Sequence, residues 1–343
     1  MCYARFWEAD SIRNLIFTIL SYDTIMKPPY DITNAILKLL TAIAERLGEV
    51  NSAHLHRPSP ELRKRNRVKT IKASLEIEGN TLNEAQITAI IDRKRVIGPE
   101  KDIREVVNAI KVYDQIHSFS PSSLNSFLKA HRILMDGLME NPGQLRTRPV
   151  GIFKGEQVAH VAPPAENLDH LMRELFQYVQ KSDDHLFIKS SVVHYEIEFI
   201  HPFMDGNGPM GRLWQTLILL QEYPVFEFLP FETVIKNRQQ TYYDVLEYCD
   251  EQGNSTRFIE FMLDAIHTSL EELLKVQNQQ LDPRERMTYF LTVFKGNQFS
   301  RQDYLRVFRD ISPATASRDL KLAVEQNRVQ KKGDKRTTQY TRV

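Results

Sequence analysis

Within twelve consecutive positions, from His201 to Arg212, the chain places a histidine, a carboxylate, two glycines around an asparagine, and an arginine. Each of these residue types suits phosphate chemistry. Gly206 and Gly208 let the backbone turn tightly against an anion, and a following helix would aim its free N–H groups and positive dipole end at it. Asp205 can hold a divalent cation, Arg212 can neutralise a terminal phosphate, and His201 can take a proton near neutral pH. Taken singly, each residue would more often be a turn glycine, a helix-end histidine or a surface charge. The whole string resists that reading, because several chemically demanding positions coincide in one loop.

Such a loop has to be held by something rigid. Apolar stretches on both sides, 187–200 and 213–220, predict helices that enter and leave it, with Phe199, Ile200 and Phe203 as core anchors rather than ligand contacts. Helical periodicity dominates elsewhere too. Ile36, Leu39, Leu40, Ile43 and Leu47 recur at three and four behind a cap at Asp31 or Thr33, with an expected stop near Gly48. Leu168 to Val179 and Ile259 to Leu270 repeat the pattern. The non-helical exception is 149–164, where Val150, Ile152 and Phe153, then Val158 and Val161, flank Lys154-Gly155-Glu156 as a short β-hairpin would. Pro163-Pro164 ends it.

Around residues 277–283 the apolar pattern breaks, and the character of the chain changes. Ser312 and Pro313 open a helix whose apolar face is Ala316, Leu320 and Val324, and Asn327 can end it. Residues 329–340 then alternate around Gly333 as a hairpin. This order resembles a winged-helix domain, in which Arg318, Lys321, Lys331, Lys332, Lys335 and Arg336 would lie on the second helix and wing, where such domains touch DNA. A solvated charged face on a protein-interaction module is the competing reading.

At 343 residues the chain has room for two or three domains. A net charge of +1 excludes a global field towards nucleic acid or membrane, so any basic patch is local. Cys2 and Cys249 make neither a metal-spaced set nor a disulfide framework, which favours a reducing, cytoplasmic compartment. The apolar run 15–20 is too short to span a bilayer. Residues 1–25 read as an extension, disordered or a mis-called start. The remaining domains are expected at 26–100 (helical region), 101–276 (the domain with the phosphate loop) and 284–343 (winged helix).

The string resembles the signature of the Fic family, His-x-Phe-x-(Asp/Glu)-Gly-Asn-Gly-(Arg)-x-x-(Arg). Pro209 stands where that signature has its first arginine. The lead-in from His194 to Ile200 and the Gly143-Gln144-Leu145-Arg146 segment are similar to the family as well. Ser74-Leu75-Glu76-Ile77-Glu78-Gly79 resembles its inhibitory helix motif, (Ser/Thr)-x-x-x-Glu-(Gly/Asn), in which Glu78 would pair with Arg212 and keep it from the nucleotide γ-phosphate. The resemblance implies a mainly α fold: a Fic-type helical bundle with a β-hairpin flap, followed by the winged helix.

It also implies a reaction: transfer of AMP from ATP, with Mg²⁺, to a side-chain hydroxyl (Ser, Thr or Tyr) of a protein or of the chain itself. By resemblance His201 is the general base and Asp205 the metal ligand. Gly206, Asn207, Gly208, Met210 and Gly211 line the anion hole, and Arg212 binds the γ-phosphate. Val158, Ala159, His160 and Val161 belong to the flap, and Tyr242 lines the adenosine pocket, although both it and Tyr243 read equally as core aromatics. Asp250 stands where the family often has asparagine. Pro209 removes a guanidinium and a backbone N–H without disturbing a helix start. Two outcomes stay open for it, a weakened transferase or a hydrolase that removes AMP, and the runner-up function is a catalytically impaired nucleotide sensor acting as a DNA-binding regulator. The implied partners are ATP, a protein substrate and DNA through the tail; a homodimer is compatible with them and a membrane is not called for.

Overall fold

The computed structural model describes residues 27–52, 60–154, 157–280, 282–294, 296–308, 311–334 and 338–342. The expected extension 1–25 lies outside them. The fold is mainly helical, and the described chain divides into two compact units: residues 27–31, 96–219 and 243–259 make the first, and 32–95, 220–242 and 260–343 the second.

The first unit holds the His201–Arg212 loop. Numbering begins in the second unit, whose α1 (Asn34–Ser52), α2 (Pro60–Ile77) and α3 (Glu84–Ile91) come first in the chain. The first unit then supplies α4 (Glu100–Asp114), α5 (Leu124–Leu134), the hairpin β1 (Gly151–Lys154) and β2 (Gln157–Val161), α6 (Leu168–Lys181), α7 (Leu186–Ile200) and α8 (Asn207–Leu219). Helix α7 is buried over most of its length, with Lys189, Glu196 and Glu198 partly exposed, and its Ser190 and Ser191 hydroxyls turn back to the Phe187 carbonyl. Helix α8 is buried along nearly its whole length. Between these helices and α5 and α6 lies an aromatic cluster: Phe127 meets Trp214 edge-on at 5.0 Å and Phe176 at 5.5 Å. The Trp214 indole N–H donates to the Pro121 carbonyl at 2.9 Å, so burying that ring leaves no donor unmade. The hairpin is antiparallel, with an irregularity between Ile152 and Phe153.

The start of the described chain is stitched to this unit. Lys27 donates to Asp184 at 2.7 Å, and the same carboxylate accepts the Tyr178 hydroxyl at 2.7 Å. Ser255 donates its N–H to the Pro29 carbonyl at 3.0 Å.

In the second unit, Thr33 is the cap of α1: its Oγ1 accepts the Ile36 N–H at 3.2 Å. Gly48 does not stop this helix, which runs on to Ser52; no neighbour crowds that glycine and the α-helical ladder simply continues. Helix α2 is secured at its end, where Glu76 meets Lys72 (2.5 Å) and Lys236 (3.4 Å) and Gln239 donates to the Ile77 carbonyl at 3.0 Å. Lys236 belongs to α9 (Phe231–Asn237), and Gln239 opens α10 (Gln239–Gln252). Helix α11 (Thr256–Gln280) follows.

After the break at 281, Asp282 and Glu285 form a reciprocal capping box for α12 (Pro283–Val293). Then come β3 (Gln298–Phe299), α13 (Arg301–Val307), α14 (Pro313–Glu325), β4 (Val329–Lys332) and β5 (Gln339–Arg342). The strands form one antiparallel sheet in the order β3-β5-β4. Phe290, Phe299, Tyr304, Phe308 and Leu320 are its buried core. Ser312 caps α14 through the Thr315 N–H at 3.1 Å, and Asn327 takes a left-handed φ of 54° just beyond its end. Inside this core Arg286 makes a two-point pair with Asp319 (2.6 and 2.9 Å), which also accepts the Tyr304 hydroxyl at 3.1 Å. Lys335 and Arg336 lie outside the described residues.

Candidate active site

Most of α7 is buried, which anchors its C-terminal end. His201 follows directly with φ 50° and ψ 60°, a left-handed conformation that few non-glycine residues adopt. Its N–H still bonds the Ile197 carbonyl at 3.0 Å. The ring Nδ1 lies 3.3 Å from the Glu198 carbonyl oxygen. A carbonyl only accepts, so Nδ1 carries a proton, and the lone pair of the ring in its neutral form lies at Nε2. Nε2 is therefore the basic atom of this histidine.

The loop after it is pinned at three places. Phe203 is fully buried and lies flat on His131, with ring centroids 3.5 Å apart. The Asn207 side chain bonds both backbone groups of Phe203, accepting its N–H at 2.9 Å and donating to its carbonyl at 3.0 Å. His131 Nδ1 accepts the Gly143 N–H at 2.8 Å, so Nε2 must carry the hydrogen that it donates to the Asp205 carbonyl at 2.9 Å. Burial drives the His131 pKa down to about 4, which keeps it neutral in this single tautomer. Gly206 has φ 83°, and a Cβ there would stand 2.7 Å from Met135 Sδ, so only glycine lets the loop pass. The Asp205 side chain is exposed, with one carboxylate oxygen accepting the Gly206 N–H at 2.7 Å.

Helix α8 begins at Asn207, and its first ladder bond runs from the Met210 N–H to the Gly206 carbonyl at 3.2 Å. The helix-end donors outside the ladder are those of Asn207 and Gly208, since Pro209 has no N–H. Pro209 sits where that N–H would have had no helical acceptor, so the helix is undisturbed by it. Met210 and Gly211, expected to extend the anion hole, also have structural parts. The Met210 N–H is committed to the helix, and a Cβ on Gly211 would come within 2.6 Å of His194 Cδ2. Gly211 is what lets α7 and α8 approach each other.

Arg212, on the next turn, has no exposed surface. Glu198 stands in its field. Burial alone would push the Glu198 carboxyl up, but His194, Arg212 and His201 around it hold it below the usual carboxylate range. Glu198 and His131 are site residues that sequence reasoning did not single out. Glu198 lies three positions before His201 on one helical turn, which was a legible signal; His131 gave none, being 74 positions from its partner.

Other expected residues fall elsewhere. Tyr242 is 1 % exposed and packs against Phe261 at 5.9 Å in the second unit, the surroundings of a core aromatic rather than of a pocket wall. Its neighbour Tyr243 is 40 % exposed and belongs to the unit that holds the loop. Asp250 accepts the Tyr195 hydroxyl at 2.9 Å. Val158, Ala159, His160 and Val161 form strand β2, and their side chains lie outside the described ones. Glu78 is an exposed residue in the turn just after α2, where Gly79 takes φ 92° and the Asn80 N–H reaches back to the Leu75 carbonyl at 3.0 Å. Ser74, on the last turn of that helix, is buried.

Among the described residues no group of three or more His, Cys, Asp or Glu could hold a metal ion alone. Asp205 offers a single accessible carboxylate beside a helix start. That is the protein's usual share in a Mg²⁺ site completed by substrate phosphates and water. No helix among the described residues is long and apolar enough to cross a membrane.

Three comparisons bear on this site. The Fic/DOC family pattern matches residues 121–219, which span α5 to α8. The crystal structure of a Fic family protein from Desulfovibrio desulfuricans G20 is 39 % identical, covers 92 % of this chain and 98 % of its own, and superposes with a TM-score of 0.71. The protein adenylyltransferase Fic of Aedes aegypti is 26 % identical over 230 residues, 63 % of this chain and 43 % of that protein. The chain thus matches less than half the length of that relative.

Proposed function

Because the chain belongs to the Fic family, we propose that it transfers AMP from ATP to a hydroxyl on a protein side chain, its own or another's. The observation that carries this reading is His201: an imidazole whose Nδ1 faces the Glu198 carbonyl and so leaves Nε2 as its basic atom, at the helix end that leads into an exposed carboxylate and a helix N-terminus. Nε2 takes the proton of the incoming hydroxyl. The oxygen attacks the α-phosphorus, the bond from that phosphorus to the bridging oxygen breaks, and pyrophosphate leaves. The Asn207 and Gly208 N–H groups and the positive end of α8 face the charge that develops. Asp205 would hold Mg²⁺ together with the substrate phosphates, and the ion would supply positive charge against the charge that develops. The exposed Tyr243 suits the adenine side better than Tyr242.

The family-level activity comes with a restraint. An arginine with no exposed surface cannot grip a γ-phosphate until something moves, which favours an autoinhibited resting state. Glu78, in the motif that ends α2, is the residue we assign to that restraint. We place the protein in the cytoplasm on its cysteine usage.

A second reading draws on the C-terminal region. Arg318 and Lys321 on α14 and Lys331 and Lys332 on β4 are all exposed, as the reading helix and wing of a winged-helix DNA-binding module would be. Loss of salt-sensitive duplex binding on removal of 284–343 tests it.

The main reading is tested with ATP labelled at the α- or the γ-phosphorus. Label should enter protein from the α-position only, and His201→Ala should lower the rate by about 10²–10⁴-fold while the thermal midpoint stays near the parent's. Labelling from the γ-position, or a parental rate in the variant, overturns the reading.

A further inference from the structure

Arg146 is one of the most buried charged groups in the chain, 3 % exposed, and among the described residues it pairs with no carboxylate. Four of the five N–H directions of its guanidinium go to backbone carbonyls. Nε donates to His201 (2.7 Å), Nη1 to Arg148 (3.0 Å), and Nη2 to both Pro163 (2.6 Å) and Ile200 (3.3 Å). Its own backbone N–H donates to the Pro202 carbonyl at 2.9 Å. These acceptors form two sets. Ile200, His201 and Pro202 are the end of α7 and the turn that carries the basic imidazole. Arg148 and Pro163 flank the two ends of the β1–β2 hairpin, whose ladder the Ala162 N–H extends to the Val150 carbonyl at 3.3 Å.

We propose that Arg146 is a positioning residue that locks the left-handed turn of His201 to the base of the hairpin, so that the two hold one geometry and open together. The proposal deepens the adenylyl-transfer reading, on which its kinetic arm rests. The charge is compensated by the carbonyls at the C-terminal end of α7, the negative end of that helix. A planar fork with five fixed donors can reach two carbonyl sets at once; a lysine ammonium, a single nitrogen on a flexible stem, cannot hold both. Without the fork, the His201 carbonyl loses this bond to the group that also holds the hairpin, and φ 50° relaxes towards ordinary values. The imidazole then loses the orientation that its Nδ1 contact to the Glu198 carbonyl now fixes. A shift of about 1 Å at a reacting group is enough to slow a reaction about 100-fold.

The test compares the full chain with Arg146→Lys, which keeps the charge and removes the fork. Hydrogen exchange is followed at residues 148–164 and 199–208, with helix α6 as a control, and AMP transfer is measured alongside. We expect protection at both segments to fall together by about tenfold or more, with α6 unchanged. The kcat should fall about 100-fold while KM for ATP stays within roughly threefold. Loss of protection at one segment alone, or a parental kcat in the variant, overturns the proposal. A parent chain that transfers no AMP defeats the adenylyl-transfer reading instead, and the exchange arm still judges the lock. Should Arg146→Lys fail to fold, the parent decides: the His201 and Ala162 amides must share one protection and one denaturant dependence, and separate openings overturn the lock.

Discussion

Arg286 in the C-terminal region and Arg146 beside the signature loop are both guanidinium groups withdrawn from water, and the two regions satisfy them in different currencies. Arg286 is met by a carboxylate: Asp319 grips it at two points, holds its pKa above the ordinary arginine value, and shares Tyr304 with it. Arg146 is met by carbonyls alone, and burial draws its pKa below the ordinary value. A buried ion pair mainly ties elements of a core together, and breaking it leaves an uncompensated charge. A fan of carbonyl bonds from one planar group does something else, because it fixes the direction of the peptide planes it touches. The C-terminal region uses arginine for cohesion, and the loop region uses it for geometry.

The largest expected effect comes from breaking the cohesive pair. Asp319→Ala should destabilise the C-terminal region by about 3–5 kcal/mol, since Arg286 would stay buried without its counter-ion. Urea unfolding followed by hydrogen exchange in α12 and α14 reads this. Transfer per folded molecule should remain parental, in contrast to Arg146→Lys. A shift under about 1 kcal/mol, or an activity loss as deep as that of Arg146→Lys, would erase the distinction.

A proton sharpens the comparison from the other side. His131 holds the loop only while neutral, with a folded pKa of about 4 against an ordinary value of 6.5. Between those values the unfolded chain binds a proton that the folded chain refuses. Stability from this group is therefore complete above pH 6.5 and drains away as pH falls towards 4. Its size is at most about 3 kcal/mol, from the separation of the two pKa values. His131→Gln keeps a donor and an acceptor but cannot titrate, so the urea midpoint of the parent should fall more steeply across that window. Parallel pH profiles for parent and variant would remove His131 as the loop's holder.

The smallest effects are expected from adding or releasing charge at the loop. Pro209→Arg should raise AMP transfer by about tenfold, by restoring a charge-assisted contact to the phosphates at a helix position that accepts either residue. Glu78→Gly should raise it by a similar factor if Glu78 restrains Arg212. Steady-state labelling from ATP measures both. Activation by Glu78→Gly with none from Pro209→Arg would show that the loop works through geometry without a second guanidinium. No gain from Glu78→Gly would end the case for restraint by α2.

What the sequence made legible was local. The signature, the helices entering and leaving it, the hairpin, and the caps at Thr33 and Ser312 all rest on residues within about four positions of each other, where periodicity and turn chemistry speak directly. The supports of the site were not legible. Arg146 reaches His201 across 55 positions and His131 reaches Asp205 across 74, and no spacing rule encodes either contact. Two more features were hidden for a related reason. Tyr242 and Tyr243 are adjacent, so which one faces the core is a matter of helix rotation that the residue types leave open. Gly211 sits in a phosphate-binding string, and only the approach of His194 reveals that its absent side chain is the point.

That last contact has a genetic consequence. Every missense change at the Gly211 codon adds at least a Cβ, and the smallest of them already places an atom 2.6 Å from the His194 ring. Overpacking of this kind costs about 1–3 kcal/mol and would be relieved by spreading α7 from α8, the two helices between which the whole loop is strung. Selection for loss of activity should therefore find this codon saturated with hits, alanine included, in proteins that still accumulate in the cell. At Gly48, where nothing lies within 4 Å, the same substitutions should pass unnoticed.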